Sequence, residues 1–373
     1  MAQDLSGAAQ DTVTLETPRR GASPAQSESA LYAALDLGTN SCRMLIATPE
    51  AGRLRILDAF AKSVRLGAGL ERTGHLSRGA VARTLSALEV CAEKLTRHKV
   101  AHVRLVATEA CRRARNGGNF LALAQRQTGL RLELIRPEEE ARLAVISCAP
   151  LVAPTASQLL VFDIGGGSTE LVWLDLSEIE PERRAQAIVD LRMTGAPEPG
   201  AARIVDFISV PLGVATLHER YADVADDAAR FALMAWYFEE RIAGFKPYIE
   251  SLIDDAASFQ MIGTSGTVTT VGAAHLGLRR YDRRKVDGMT LSARAIDDVI
   301  NRFLRLGPEG RRSDIGLGRD RSELIMSGAA ILQTLLRLWP TSSMRVADRG
   351  LREGMLFAMM SANGAFAEGV RLE

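Results

Sequence analysis

The sequence predicts an α/β protein of two domains, each built on a mixed β-sheet with flanking helices. Its 373 residues are enough for two separate hydrophobic cores. A strand–turn–strand unit occurs twice, at residues 31–47 and 159–174. After each copy, stretches with helical apolar spacing alternate with short strand-like runs. The repeated opening unit therefore predicts two similar α/β halves.

Each copy of the unit consists of an apolar run, an Asp, a glycine-containing turn ending in Ser, and a second apolar run. The two sequences are ALDLGTNS at residues 34–41 and VFDIGGGS at residues 161–168. Glycines let backbone N–H groups converge into a nest for anionic oxygens, and the Asp at the strand end can hold a hard cation. A single such motif is commonly an ordinary hairpin. Two in the same register predict two halves that close on one phosphorylated ligand.

Two other phosphate-binding motifs do not fit the sequence. The glycines at 165–167 are followed by TELVW, which is strand-like, whereas a dinucleotide fingerprint must open a helix. No GxxxxGK[ST] pattern occurs, which excludes a P-loop.

Residues 1–29 are polar and lack apolar periodicity, which predicts a disordered tail. The first domain is predicted over residues 30–152. After the hairpin, its expected elements are strand 53–60, helix 80–96, strand 103–107, helix 120–127, strand 130–135 and a helix that begins at Pro137.

The second domain is predicted over residues 153–373, after a Pro-flanked seam at 150–154. Residues 177–202 are predicted to be an exposed insertion, and the three tryptophans, including Trp236, to lie in the core. The remaining elements are strand 203–210, helix 226–243, a glycine turn at 261–267 that runs into a helix, helix 293–305 capped by Ser292, helix 322–338, strand 344–346 and a helix from Arg352. The sequence does not decide whether this last helix packs back on the first domain.

Composition limits the classes of partner and location. The chain is 47% apolar and 24% charged with a formal net charge of +1, so a dedicated nucleic-acid binder is disfavoured. No apolar stretch is long enough to span a membrane, and no secretory signal follows Met1, so we expect a cytoplasmic protein. The four cysteines are widely spaced without metal-binding patterns, which predicts buried, reduced thiols.

A hairpin that opens each α/β half, with helices on a mixed sheet, is typical of the actin/hexokinase-like (ribonuclease H-like) architecture. In that fold the ligand lies in the cleft between the two domains, where donors from both sides can surround a phosphate.

Five segments carry a resemblance to a known family: residues 34–43, 106–112, 139–143, 162–170 and 263–267. In these motifs and their order, the chain resembles the exopolyphosphatase/guanosine pentaphosphate phosphohydrolase family. The resemblance implies hydrolysis of the terminal phosphoanhydride of inorganic polyphosphate, with guanosine pentaphosphate as the alternative substrate. It also implies Mg²⁺ as cofactor, K⁺ as a stimulating ion and a homodimer.

The resemblance implies a role for individual side chains. Glu140 is expected to be the general base and Arg112 a substrate-contacting cation. Asp36, Asp163 and Glu170 are expected to hold Mg²⁺ or the attacking water, although Asp36 could instead cap its own turn. The phosphate-binding residues are expected to be Gly38, Thr39, Asn40, Ser41, Gly165, Gly166, Gly167, Ser168, Gly263, Thr264, Ser265 and Gly266.

Other interpretations stay open at this point. Five cations at residues 279–285 either guide a polyanion to the cleft or form a solvated surface. Longer members of the family carry an extra C-terminal domain related to metal phosphohydrolases; we expect no counterpart of it here and therefore no high processivity on long polyphosphate. The rival functions are a kinase of the same fold and an actin-like ATP-binding scaffold.

Overall fold

The structure, a computed structural model, describes residues 30–193, 201–250 and 258–365. Its first sheet contains β1 (Tyr32–Leu37), β2 (Ser41–Glu50), β3 (Arg53–Ser63), β4 (His102–Ala107) and β5 (Glu133–Leu134). These strands lie in the order β3-β2-β1-β4-β5. Strand β1 pairs antiparallel with β2 and parallel with β4, so the predicted hairpin forms the centre of a mixed sheet.

The second sheet contains β6 (Gln158–Ile164), β7 (Thr169–Asp175), β8 (Arg203–Val210), β9 (Phe259–Thr264), β10 (Thr290–Ser292) and β11 (Ser343–Ala347). The order is β10-β11-β9-β6-β7-β8. Strand β6 pairs antiparallel with β7 and parallel with β9, as β1 does with β2 and β4. The second sheet thus repeats the pairing of the first and adds β10 at its edge. The predicted α/β class with two mixed sheets is confirmed.

The helices of the first half are α1 (Leu70–Thr73), α2 (Arg78–His98), α3 (Glu109–Arg113), α4 (Gly117–Thr128) and α5 (Pro137–Cys148). Those of the second half are α6 (Arg184–Val189), α7 (Val214–Arg220), α8 (Asp227–Arg241), α9 (Lys246–Ile249), α10 (Gly266–His275), α11 (Arg283–Val286), α12 (Ala293–Ser313), α13 (Arg319–Leu338) and α14 (Leu351–Ala362). The Ser292 side chain accepts a hydrogen bond from the Ala295 N–H, so the predicted cap of α12 forms. None of the helices in the described ranges is long and apolar enough to cross a membrane.

Helices α5 and α14 lie between the two sheets. Val145 of α5 belongs to one buried cluster with Val161 of the second sheet. Leu143, on the other side of α5, clusters with Met355 of α14 and with residues of the first sheet. The two helices are in close contact, because a Cβ on Gly354 would lie 2.0 Å from the Leu143 carbonyl oxygen. This packing fixes the first turn of α5 where the two halves meet.

Residues 177–202 differ from the predicted exposed insertion. Ile179, Ile188 and Leu191 are buried in the cluster beneath the second sheet, and Arg184 donates a hydrogen bond to the Ile179 carbonyl. Helix α6 is short, so its apolar residues are too few to show a periodic pattern in the sequence. Residues 194–200 lie outside the described ranges.

Two other expectations have different outcomes. Trp236 is 55% exposed on α8, so its predicted core position is wrong: its run of apolar neighbours covers both faces of the helix. All four cysteines are free and buried, as predicted. The proposed tail at residues 1–29 lies outside the described part of the chain.

Candidate active site

The two hairpins place acidic and basic side chains at equivalent positions. In each, a glycine N–H donates to the carbonyl oxygen of the turn serine, with N···O distances of 3.0 Å for Gly38 and 2.9 Å for Gly165. Asp163 is paired in register with Glu170, and Asp36 with Arg43. The two turns therefore have one geometry, but an arginine in the first takes the place of a glutamate in the second.

The two turns touch each other across the interface between the halves. A Cβ on Gly167 would lie 2.4 Å from Thr39 Oγ1, and one on Gly166 would lie 3.1 Å from the Asn40 backbone nitrogen. Only glycine permits this approach. The Thr39 hydroxyl is buried and has no hydrogen-bond partner, which leaves a donor available to a ligand.

A cleft of about 330 Å³ lies at this contact. Asp36, Glu140 and Asp163 line it. Of the predicted phosphate-binding residues, the structure brings the following to its wall: Gly38, Thr39, Asn40, Ser41, Gly165, Gly166, Gly167, Ser168, Thr264, Ser265 and Gly266. Asp36 and Asp163 thus share one cavity, which is the arrangement that the paired motifs require.

Gly263 differs from the expectation that it contacts phosphate. It lies within β9, and a Cβ there would be 2.4 Å from Phe162 Cζ, so its glycine serves packing inside the sheet. The cleft wall begins one residue later at Thr264. Ser265 has φ 123°, an unusual backbone conformation for a residue other than glycine, and its side chain caps α10. Strain of this kind is often concentrated at ligand sites.

Three buried carboxyl groups at the hairpins and the start of α5 have raised pKa values. Burial raises the pKa of Glu140 to about 8 against the opposing charge of Arg112, and the charges of Asp36 and Asp163 raise it further. Burial and the neighbouring Asp36 raise the pKa of Asp163 to about 7. Burial also raises the pKa of Glu170 well above its usual range, with smaller contributions from Glu140 and Asp163. Removal from water, more than mutual repulsion, therefore disfavours the charged forms of these carboxyl groups.

Arg112 lies behind Glu140 and does not line the cleft. Its Nη1 donates to Glu140 Oε2 at 2.8 Å and to the Ile135 carbonyl at 2.9 Å, while Nη2 donates to Glu109 Oε2 at 2.9 Å. The guanidinium therefore orients the carboxylate of Glu140. A direct contact of Arg112 with phosphate stays a prediction that these hydrogen bonds do not support.

Sequence reasoning missed the arginines of the cleft, which are Arg43, Arg321, Arg349 and Arg352. Burial lowers the pKa of Arg43, and the charge of Arg352 lowers it further, so these cations are close together. The signal for Arg43 was present, because it stands seven residues after Asp36 as Glu170 does after Asp163. The other three come from α13, from the loop that precedes α14 and from the first turn of α14, where no local pattern marks them.

The donor set fits a hard divalent cation. Asp36 and Asp163 offer carboxylate oxygens in the cleft, whereas Glu170 is buried behind it and accepts a hydrogen bond from Ser209 at 2.8 Å. Within residues 30–193, 201–250 and 258–365, no group of three or more metal-ligating side chains is assembled. Mg²⁺ commonly binds through one or two carboxylates plus waters and phosphate oxygens, so these residues suit it.

Replacing Asp163 by asparagine is expected to stabilise the metal-free protein. The folded pKa of about 7 exceeds the ordinary 3.8, so between these pH values the folded state binds more protons than the unfolded state. The free energy of unfolding therefore falls as pH rises through this window. Asparagine removes the buried charge, so we expect a gain of about 1–4 kcal/mol at pH 8 and little change at pH 4.

Urea unfolding in EDTA at the two pH values measures this gain. Asp175→Asn on the same hairpin is the matched control, and it is expected to lower the free energy of unfolding at pH 8. Hydrogen bonds from Ser177 and Arg203 outweigh burial and lower the pKa of Asp175, so its charged form stabilises the fold. A D163N protein less stable than wild type at pH 8 would show that the charge of Asp163 is well compensated.

The repeated sheets, the touching hairpin turns and the carboxylate-lined cleft define an α/β protein of two mixed sheets that share one cleft. The model of the Ppx/GppA phosphatase family matches residues 45–363, which is most of the chain. The protein belongs to the Ppx/GppA phosphatase family.

Solved structures of similar proteins agree with this assignment. The Aquifex aeolicus member of the Ppx/GppA family is 26% identical with a TM-score of 0.69, over 90% of this chain and 98% of that one. An exopolyphosphatase-like protein is 25% identical with a TM-score of 0.75, over 90% of this chain and 100% of that one. An exopolyphosphatase from Cytophaga hutchinsonii is 22% identical with a TM-score of 0.74, over 89% of this chain and 98% of that one. At this identity the similarity shows a shared fold alone.

Proposed function

We propose that the protein is a Mg²⁺-dependent exopolyphosphatase that hydrolyses the terminal phosphoanhydride of inorganic polyphosphate and releases orthophosphate. The observation that supports this proposal is the position of Glu140. This buried carboxylate lines the same cleft as both hairpin turns, so a proton acceptor faces a cradle of phosphate-binding groups.

The proposed reaction is an in-line attack of water on the terminal phosphorus. The N–H groups of the two turns and the Thr39 hydroxyl hold the terminal phosphate. Glu140 accepts the proton of the attacking water as the new P–O bond forms and the bridging P–O bond breaks. The chain leaves one phosphate shorter, with its negative charge facing Arg43 and Arg321. Mg²⁺ bound by Asp36 and Asp163 would offset charge on the equatorial phosphate oxygens.

The rate is expected to rise with pH because the base must be ionised. The pKa of Glu140 is raised to about 8 in the metal-free protein, partly by the charges of Asp36 and Asp163. Mg²⁺ on these two carboxylates would lower it, so kcat/KM should increase about tenfold for each pH unit below an apparent pKa under 8 and level off above it. The apparent pKa belongs to the coupled carboxylates as a group. Initial rates at constant ionic strength and saturating Mg²⁺ measure the profile. A rate that falls as pH rises from 5 to 8 would contradict Glu140 as the base.

Phosphate release from polyphosphate of defined length and from guanosine pentaphosphate, with Mg²⁺ and K⁺ present, tests the function. Faster turnover of polyphosphate supports the proposal, whereas faster turnover of guanosine pentaphosphate favours the alternative substrate. Release from neither would contradict both. ATP-dependent phosphorylation of an added sugar would instead indicate a kinase, and nucleotide-dependent assembly without phosphate release would indicate a scaffold.

We also propose that the enzyme is a cytoplasmic homodimer that acts on polyphosphate without nucleic-acid or membrane partners. This part of the proposal is supported by the family resemblance. Size-exclusion chromatography with light scattering measures the oligomeric state directly.

A further inference from the structure

A second cavity of about 320 Å³ lies between the two halves of the molecule. Its first wall is the turn after β2 and the start of β3, including Arg53 and Leu54. Its second wall comes from α11 and α14, including Arg284 and Phe357. The reaction proposed above uses none of these side chains.

The charge of this cavity is unbalanced. Arg283 is paired with Glu353 at 3.1 Å, and Arg349 with Asp287 at 2.9 Å. The described lining residues contain no further carboxylate, so Arg53 and Arg284 give the lining an excess of positive charge. The Arg284 side chain is 93% exposed and pairs at 3.7 Å with Asp282, which lies outside the lining. An ion pair this exposed is weak, so Arg284 can turn toward a ligand. An excess of arginine in a cavity of this size favours a phosphate-bearing anion.

The cavity also has an apolar side. Leu54, Ile56, Pro150 and Phe357 line it beside the arginines. Ile56 is 37% exposed. A pocket that combines cations with apolar walls can hold the phosphates and the ring system of one small molecule.

One side chain joins this cavity to the catalytic cleft. Arg349 lines both. Its Nε donates to the Asp287 carboxylate, and its backbone carbonyl accepts a hydrogen bond from the Thr264 hydroxyl, which lies on the wall of the cleft. An anion that competes with Asp287 for Arg349 would therefore act on a residue held against the cleft wall.

We propose that this second cavity binds a small phosphate-bearing anion and that its occupancy is coupled to the catalytic cleft through Arg349. Inorganic pyrophosphate and a nucleoside diphosphate share the required chemistry. The nucleoside diphosphate gains additional contact with the apolar wall.

Isothermal titration of the full chain with pyrophosphate, and separately with ADP and GDP, tests the binding. The cavity variant is Arg53→Glu/Arg284→Glu. The matched control is Arg55→Glu/Arg280→Glu, which makes the same change in net charge at exposed neighbouring positions outside the cavity. Compared with wild type, the cavity variant is expected to lose one bound anion per chain, or to bind that anion at least about tenfold more weakly. Equal weakening in both variants, or in neither, would overturn the proposal.

The two kinds of probe identify the ligand class. Tighter binding of ADP or GDP than of pyrophosphate assigns the apolar wall to a nucleoside, and the reverse order assigns the site to an inorganic anion. The coupling rests on the proposed function. It is measured as the difference between the KM for polyphosphate with saturating diphosphate and the KM without it. The KM should change in wild type and in the control by an amount that is lost in the cavity variant. An identical change in all three proteins would place the effect in the catalytic cleft and refute the coupling.

Discussion

Replacing Glu140 by glutamine is expected to lower kcat by about 10²–10⁴-fold, the range of a lost general base. Glutamine keeps the shape of the side chain and can still contact Arg112, whose Nη1 lies 2.8 Å from Glu140 Oε2. The amide cannot accept the proton of the attacking water. Substrate affinity should be retained, because the turn N–H groups that hold the terminal phosphate are unchanged.

Glu138→Gln is the matched control for this variant, since Glu138 is exposed in the same first turn of α5. Steady-state phosphate release and calorimetric binding of polyphosphate are measured on both proteins, with thermal unfolding as a check of folding. If E140Q turns over at the wild-type rate, Glu140 is not the base and another carboxylate of the cleft must take that role.

Replacing Gly167 by alanine is expected to lower kcat/KM by roughly 10²-fold, because displacement of a catalytic geometry by about 1 Å has an effect of that size. The new methyl group would lie 2.4 Å from Thr39 Oγ1 and 3.1 Å from Glu109 Cγ. Either the Thr39 hydroxyl must rotate out of its position or one of the two turns must move away from the other. Overpacking of this kind also lowers the free energy of unfolding by about 1–3 kcal/mol.

The control is Gly118→Ala, at a helical position where a Cβ meets nothing within 4 Å. A double-mutant cycle with Thr39→Ala separates the clash from other effects, because removal of the hydroxyl relieves the shortest contact. Stability of G167A should recover in part in the double variant. Wild-type activity and stability in G167A would show that the two turns do not need to touch.

The local parts of the site were predictable because they depend on short stretches of chain. A hairpin fixes its own register, so the strand–turn–strand unit predicted at residues 159–174 brings Glu170 back beside Asp163. The start of α5 followed from Pro137 and the acids of the first turn. By contrast, α6 was missed because it is too short to show helical periodicity.

The sequence by itself determined the repeated hairpins, the position of Glu140 at the start of a helix and the family to which the chain belongs. Only the tertiary structure decided that Arg112 lies behind Glu140, that Gly263 packs on Phe162 and that Arg349 faces two cavities. The physical reason is range. Hairpin register and helical periodicity act over a few residues, whereas these contacts join segments far apart in sequence. Such segments come together only when distant strands pair, as β6 does with β9, and when α5 and α14 pack between the sheets.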